Sequence, residues 1–230
     1  MNQLIRPTIE YPEDDGNPLA ENTEQLEWIV LIYDNILGMF RARDDVFVAS
    51  DLLWYPEEWN TVDRLAPDVM VAFGRPQGFR SSYRQWEEND VAPQVVFEIM
   101  SPSNGHAEMV EKQSSYEDWG VEEYYVYDPR RNQLFVYERS GEMLRRVRKI
   151  GEYVSKRLGI RFQLTAETLL IFRPNGELFR PYKEIEAEME REREQRVFAE
   201  QRLARVLDLS RRARRGEASA EELAELDALE

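Results

Sequence analysis

Residues 93–129 read PQVVFEIMSPSNGHAEMVEKQSSYEDWGVEEYYVYDP, and this stretch decides the fold class. Its first part, VVFEIM, is an apolar run of β-forming residues closed by Pro102, which predicts a buried strand. The following segment, HAEMVEKQSSYEDW, has a helical pattern and ends at Gly120, the residue type that most often follows a helix. VEEYYVYDP then predicts another strand.

The rest of the chain extends this order of elements in both directions. Asn22 or Thr23 can cap a helix over NTEQLEWIVLIYDNILGMF, whose apolar residues recur at helical spacing. Further strands are predicted in DVFVASDLLWY (45–55), PDVMVAF (67–73), QLFVYER (133–139), EMLRRVRKI (142–150) and RFQLTAETLLIF (161–172). The order of helix, strands, helix and strands predicts an α/β fold with a mixed central sheet flanked by helices.

Composition divides the chain into three parts. Residues 1–20 combine prolines with acids and are expected to form a flexible arm, while residues 21–180 form the main domain. Residues 181–230 are charge-dense and predict a long helix that ends at Gly216. Ser219 and Glu222 then form the capping box of a short second helix. Because the heptad seam of the long helix is interrupted by charges, we expect a hairpin or partial coiled coil that packs on itself or on a second copy.

Charge and composition exclude several function classes. The 230 residues contain no Cys and one His, so disulfides, thiol nucleophiles and His-rich metal sites are excluded. No segment predicts a secretory signal or a membrane span, which indicates a cytoplasmic protein. The net charge is -15, and residues 1–60 hold 3 basic against 13 acidic side chains. Such acidity disfavours non-specific nucleic-acid binding. The basic run 145–161 is read equally well as a solvated strand pair or as a phosphate-facing surface.

Three charged residues occupy positions where apolar residues are expected. Glu98 interrupts a buried strand, and Asp68 opens another apolar strand. If these strands are neighbours, both carboxylates converge on a hard cation such as Mg²⁺. Lys112 shares an arc of about 80° with the apolar residues of its helix and therefore faces the sheet. The alternatives are that Asp68 ends a strand, that Lys112 extends to solvent, and that Glu98 and Lys112 form a structural ion pair.

Other candidate functional residues have weaker support from the sequence. His106 could act as a base, but a lone histidine at a helix start is more often a cap or solvent-facing. Glu24 and Glu27 of the first helix could approach the site, although a surface position is the simpler interpretation. The chain has no phosphate-binding glycine-rich loop of the GK[ST] type and no serine context that supports a catalytic triad.

The motifs around the three charged residues resemble the Uma-two family of restriction-endonuclease-like proteins. They are PDVMVAF, VVFEIMSPSN and KQSSYEDWGVEEYYVYDP, and the resemblance covers roughly residues 24–180. It implies a PD-(D/E)xK nuclease core in which Asp68 and Glu98 bind the metal. The backbone carbonyl of Ile99 would supply a third contact.

The chain departs from the usual pattern at two positions. Met100 stands where the E-x-K lysine is expected, and the resemblance implies that Lys112 replaces it from the following helix. For the acid normally offered by the first helix, Glu24 is our choice. The implied activity is Mg²⁺- or Mn²⁺-dependent hydrolysis of phosphodiester bonds in DNA by a protein that could be a homodimer. The alternative is an inactive nuclease fold that acts as an interaction or nucleic-acid-binding module through its helical tail.

Overall fold

The structure, a computed structural model, describes residues 9–148 and 150–229, except for the side chain of His106. Its α-helices are α1 (Thr23–Met39), α2 (His106–Asp118), α3 (Tyr182–Arg215) and α4 (Ala220–Leu229). Its strands are β1 (Val46–Ala49), β2 (Trp54–Tyr55), β3 (Val69–Phe73), β4 (Tyr83–Arg84), β5 (Val95–Ile99), β6 (Glu123–Asp128), β7 (Gln133–Ser140), β8 (Met143–Arg146), β9 (Glu152–Val154), β10 (Arg161–Leu164) and β11 (Leu169–Phe172). A 3₁₀ helix covers Gln85–Glu88.

A six-stranded sheet organises the main unit, in the order β1-β3-β5-β6-β7-β8. Among the described strands of this sheet, only β5 and β6 pair in parallel, and α2 supplies the crossover between them. The other neighbours in this sheet are antiparallel. Strands β9–β11 form a separate antiparallel sheet, and β2 pairs with β4. The predicted α/β fold with a mixed sheet is therefore confirmed.

Helix α1 covers one face of the central sheet together with the three-stranded sheet. Ile29, Ile32 and Ile36 are at most 1% exposed and pack against alternate residues of β1, β3 and β5. The apolar pattern of α1 does not coincide with its buried face, because Leu26 and Val30 are about two-fifths exposed. The buried face contains polar residues that make specific hydrogen bonds, and the apolar pattern cannot reveal them.

Helix α2 covers part of the opposite face. Met109 and Tyr116 are buried against residues of β3, β5 and β6. Gly120 follows the end of the helix, and its φ of +95° is the left-handed conformation expected there. Burying large side chains on both faces, at about 1.5–3 kcal/mol each, fixes the two central strands between the helices.

The described part of the N-terminal arm is attached to the main unit. The Tyr11 ring lies 5.2 Å from Tyr55 and 5.1 Å from Trp86, and its hydroxyl accepts a hydrogen bond from the Trp59 N–H. Tyr55 in turn donates to the Pro12 carbonyl at 2.7 Å. Tyr11 and Pro12 therefore contact the main unit through ring packing and hydrogen bonds. The flexibility of residues 1–20 stays a prediction.

The chain divides into two compact units, residues 1–180 and 181–230. In the second unit, α3 and α4 run antiparallel and are joined by ion pairs of Arg205 with Glu225 and of Arg212 with Glu222. The Ser219 N–H donates to the Glu222 carboxylate, while the Glu222 N–H donates to Ser219 Oγ. This is the predicted capping box. None of the helices in the described residues is both long and apolar enough to cross a membrane.

Candidate active site

The site lies where β3 begins and β5 ends, and Pro67 explains why the strands separate there. When the β3–β5 register is continued past its last pair, Asp68 stands opposite Glu98 and Pro67 stands opposite Ile99. Proline has no N–H to give to the Ile99 carbonyl, so the ladder stops. The Ile99 N–H donates instead to Asp68 Oδ2 at 2.5 Å. The Pro-Asp pair thus ends the ladder and fixes its own carboxylate.

The Ile99 carbonyl, left without a ladder partner, accepts a hydrogen bond from α1. Gln25 Nε2 donates to it at 2.9 Å, and Gln25 Oε1 accepts from the Glu21 N–H at 2.9 Å. Both ends of the Gln25 amide are therefore fixed, and the side chain is buried. Glu24 is exposed on the same helix. The residue that α1 brings to this group is Gln25, and the structure does not bring Glu24 to it.

Asp68 and Glu98 form the acidic centre of the site. Opposite residues of paired strands point to the same face, so both carboxylates lie on the α2 side of the sheet. Glu98 is 2% exposed, whereas Asp68 is partly exposed. Burial raises the pKa of Asp68 well above its usual value, and the neighbouring Glu98 charge raises it further. Two carboxylates this close repel each other unless a cation or a proton intervenes.

Lys112 and Tyr116 contact Glu98 from α2. Lys112 Nζ lies 2.7 Å from Glu98 Oε2, and the Tyr116 hydroxyl donates to Glu98 Oε1 at 2.5 Å. Burial disfavours the charge on Lys112, but the Glu98 carboxylate outweighs that effect and raises the pKa of Lys112 above its usual value. Lys112 is therefore an ammonium ion at neutral pH. The structure thus brings together Asp68, Glu98 and Lys112.

Asp51 is a further acid at this site that sequence reasoning missed. Its backbone N–H donates to the Pro67 carbonyl at 3.0 Å, and its φ of +50° is left-handed. Burial, reinforced by the charges of Asp15 and Asp14, raises the pKa of Asp51 to about 6, and the Glu98 charge contributes to the same shift. A lone Asp in a turn carries no sequence signal for this position. Only the pairing of β1 with β3 places it there.

The basic run 145–161 is partly neutralised by local ion pairs. Lys156 binds Glu138 at 2.6 Å, Arg157 binds Glu122, and Arg161 lies 3.9 Å from Glu152. This part of the run fits the solvated-strand interpretation. The three arginines of the β8 region, 145, 146 and 148, make no ion pair with a described residue. The His106 side chain lies outside the described part of the structure.

The available donors fit a hard divalent cation. No three His, Cys, Asp or Glu side chains among the described residues form a metal-holding group, so the donor set is smaller. It comprises the carboxylates of Asp68 and Glu98 and the carbonyl of Ile99, whose oxygen has a second lone pair. All three are oxygen ligands of the kind that Mg²⁺ and Mn²⁺ prefer. One ammonium group does not balance two ionised carboxylates, so the pair takes up either a further cation or a proton on Asp68.

A mixed central sheet with helices on both faces, two acids where β3 begins and β5 ends, and a lysine on α2 agrees with a restriction-endonuclease-like fold. Sequence comparison agrees with this class. The Uma2 family, described as "Putative restriction endonuclease", matches residues 6–169, and the chain belongs to this family. No curated protein matches the chain.

Among solved structures, the chain is similar to the crystal structure of a "putative nuclease belonging to DUF820" from Anabaena variabilis ATCC 29413. The two share 14% sequence identity, and the TM-score is 0.45. The similarity covers 58% of this chain and 72% of that chain.

Proposed function

We propose that this protein is a metal-dependent endonuclease that hydrolyses phosphodiester bonds in DNA. One observation carries the proposal: the Asp68 and Glu98 carboxylates are cross-strand neighbours, and the Lys112 ammonium group lies 2.7 Å from Glu98. Membership of a restriction-endonuclease family supports the same reaction class. An acidic pair with an adjacent cation matches the requirements of phosphate-ester hydrolysis better than those of acyl transfer, since the sequence has no cysteine and no serine context that supports a catalytic triad.

Asp68, Glu98 and the Ile99 carbonyl would hold Mg²⁺ or Mn²⁺. When bound, the metal supplies positive charge next to the scissile phosphate and makes a water molecule easier to deprotonate. The Asp68 carboxylate is held by the Ile99 N–H, so it is oriented before any ligand arrives. This preorganisation avoids part of the cost of arranging the ligands during the reaction.

Lys112 would stabilise negative charge rather than remove a proton. Because the Glu98 carboxylate keeps Lys112 protonated, the ammonium group cannot act as a general base at neutral pH. It can donate hydrogen bonds to the phosphoryl oxygens as their charge grows in the transition state. Glu98 therefore has two roles in this proposal, one toward the metal and one toward Lys112.

Calorimetric titration of the metal-stripped protein with Mn²⁺ tests the proposal without knowledge of the substrate. Wild-type protein is expected to bind Mn²⁺, and Asp68→Ala is expected to lose this binding because one of the two carboxylates is gone. Asp118→Ala is the matched control, since Asp118 is an exposed acid on α2. Equal binding by all three proteins would contradict the proposed site.

The alternative function, a non-catalytic interaction module, is favoured by one observation. Both oxygens of Glu98 are already satisfied by Lys112 and Tyr116, as in a purely structural network. In that case the exposed apolar residues of α3, such as Met189, Phe198 and Leu203, would contact a partner or a second copy. The Mn²⁺ titration separates the two functions, because a structural network binds no metal.

Gln25 provides a second test, because its amide holds the Ile99 carbonyl. Gln25→Leu leaves that carbonyl and the Glu21 N–H without their partners, which is expected to cost about 1–3 kcal/mol in the free energy of unfolding. Loss of an outer hydrogen bond to a ligand typically weakens metal binding by about 10- to 100-fold. Urea unfolding and the Mn²⁺ titration measure the two effects.

Glu24→Gln is the matched control on the same helix. Because Glu24 is exposed, the free energy of unfolding of the Glu24→Gln protein is expected to differ from that of wild type by less than about 0.5 kcal/mol. Its Mn²⁺ affinity should be unchanged. If Glu24→Gln weakened Mn²⁺ binding and Gln25→Leu did not, the assignment of Glu24 as the helix acid would be right and that of Gln25 wrong.

A further inference from the structure

A cleft of about 480 Å³ lies beside the carboxylate pair, on the same face of the central sheet. The strand registers give the position of the cleft relative to Glu98. Glu98 pairs with Val126 in the β5–β6 ladder, and Val126 pairs with Phe135 in the β6–β7 ladder. These three residues form one row across the sheet, and both Val126 and Phe135 line the cleft. At about 4.8 Å between strands, Phe135 lies roughly 10 Å from Glu98.

The floor of the cleft is aromatic. Phe135 and Tyr137 are only partly buried, and both line the cleft beside Met109 and Gln113 of α2. Tyr124 also lines the cleft, and its hydroxyl is buried without a hydrogen-bond partner among the described residues. Buried polar atoms without partners are uncommon in folded proteins. The cleft therefore offers ring faces for stacking and an unused hydroxyl at its border.

The rim of the cleft has a positive balance, with Arg131 and Arg146 against Asp128. The Arg146 guanidinium lies 4.7 Å from the centre of the Phe135 ring and makes no ion pair with a described residue. Arg131 also lines the cleft but is bound to Asp128 at 3.1 Å. In a chain of net charge -15, an unpaired arginine over an aromatic ring is a specific attraction for an anion that carries a flat ring.

We infer that this cleft binds one unpaired nucleotide of the substrate strand, next to the phosphate at the carboxylate pair. The inference rests on the proposed nuclease function and adds a substrate class to it: single-stranded or locally opened DNA. The base stacks on the Arg146 guanidinium, which the Phe135 ring supports from below, and Tyr137 borders the same floor. A base inside a duplex is paired and stacked on its neighbours, so it cannot reach a floor of this kind.

Fluorescence anisotropy tests this inference with a short labelled single-stranded DNA and the corresponding duplex, both in EDTA so that no cleavage occurs. The proteins are wild type, Arg146→Gln, Phe135→Ala and Arg145→Gln. Arg145 is the matched control, because it neighbours Arg146 on β8 but points to the opposite face of the sheet. We expect tighter binding of the single strand than of the duplex. Arg146→Gln and Phe135→Ala should each weaken it at least about fivefold, and Arg145→Gln less than about twofold.

Three outcomes would overturn the inference: no binding by wild type, a preference for the duplex, or equal losses in Arg145→Gln and Arg146→Gln. Arg146→Gln keeps the test valid if Phe135→Ala fails to fold, since Arg146 is exposed. Cleavage assays with Mn²⁺ separate this inference from the proposed function. If wild type cleaves single strands and the Arg146→Gln and Phe135→Ala variants cleave them equally well, the proposed nucleotide-binding role of the cleft is refuted and the nuclease function is not. Binding as expected without any wild-type cleavage would refute the nuclease alone.

Discussion

Asp68→Asn is expected to abolish DNA hydrolysis and to make the protein more stable than wild type in the absence of metal. The loss of activity should be at least about 10³-fold, because a metal supplies several kcal/mol of transition-state stabilisation. Asparagine keeps an oxygen that can accept from the Ile99 N–H, so the local hydrogen bond survives. Removing a charge that Glu98 repels should add about 0.5–2 kcal/mol, the usual range for a stabilising substitution.

The stability difference should depend on pH in a defined direction. The pKa of Asp68 is raised in the folded protein, mainly by burial and then by the Glu98 charge. Ionising Asp68 therefore costs more in the folded chain than in the unfolded chain. Its contribution to wild-type stability is most favourable below the unfolded value of about 3.8, and is lost as pH rises through the folded pKa. Asp68→Asn has no such loss.

Thermal unfolding of both proteins between pH 4 and pH 8 measures this difference. The difference in Tm between Asp68→Asn and wild type should be small at the acidic end and should grow with pH. Each kcal/mol of added stability corresponds to a Tm increase of roughly 2–4 °C. Adding Mn²⁺ should raise the Tm of wild type but not that of the variant, because only a protein that binds the ion is stabilised by it. A wild type that is more stable than Asp68→Asn at pH 7 without metal would contradict the electrostatic argument.

The sequence predicts the parts of this site that depend on local pattern. Glu98 is recognisable because a charge interrupts a buried strand, and Lys112 because helical periodicity puts it among the sheet-facing residues. Both positions follow from the side-chain directions of one element, and the structure places both side chains accordingly. The cross-strand position of Asp68 opposite Glu98 required only that β3 and β5 be neighbours.

The remaining parts depend on long-range pairing and were not predictable in this way. Gln25 looks like an ordinary polar residue at the start of a helix, and only the interrupted ladder at Pro67 creates a carbonyl for it to bind. Asn35 is buried on the same helix for a similar reason, since it donates to the Arg180 carbonyl 145 residues away. Polar residues that satisfy distant backbone groups shift the buried face of α1 away from its apolar pattern. The position of Asp51 likewise depends on long-range pairing, because the turn after β1 brings its N–H to the Pro67 carbonyl.

Lys112→Met is expected to destabilise the protein strongly while leaving Mn²⁺ binding intact. The substitution leaves the Glu98 carboxylate buried without its cation and next to a second acid. Breaking a buried ion pair from one side costs about 3–5 kcal/mol. Glu98→Gln should cost less, about 1–3 kcal/mol, because Gln can still bond Tyr116 and the Lys112 side chain is 19% exposed and can reach water. Urea unfolding measures both changes.

The double variant, Glu98→Gln with Lys112→Met, decides whether this pair is only structural. It removes the unpaired carboxylate, so its stability should recover part of the loss seen in Lys112→Met, and the coupling energy follows from the four unfolding free energies. Its Mn²⁺ affinity should not recover, because the Glu98 ligand is gone. Lys112→Met alone should bind Mn²⁺ at least as tightly as wild type, since Nζ no longer occupies Glu98 Oε2, yet cleave DNA about 10²- to 10³-fold more slowly.

Stability and metal affinity therefore do not rank the three variants in the same order: Lys112→Met loses the most stability and keeps Mn²⁺ binding, whereas the two variants that carry Glu98→Gln lose less stability and lose the metal ligand. If the ion pair were only structural, Mn²⁺ affinity and cleavage rate would change only as far as stability changes. An undiminished cleavage rate in Lys112→Met would show that Lys112 takes no part in the reaction. The distinction is possible because Glu98 is shared: one of its oxygens holds the cation that keeps the fold intact, and the same carboxylate is the proposed ligand of the metal.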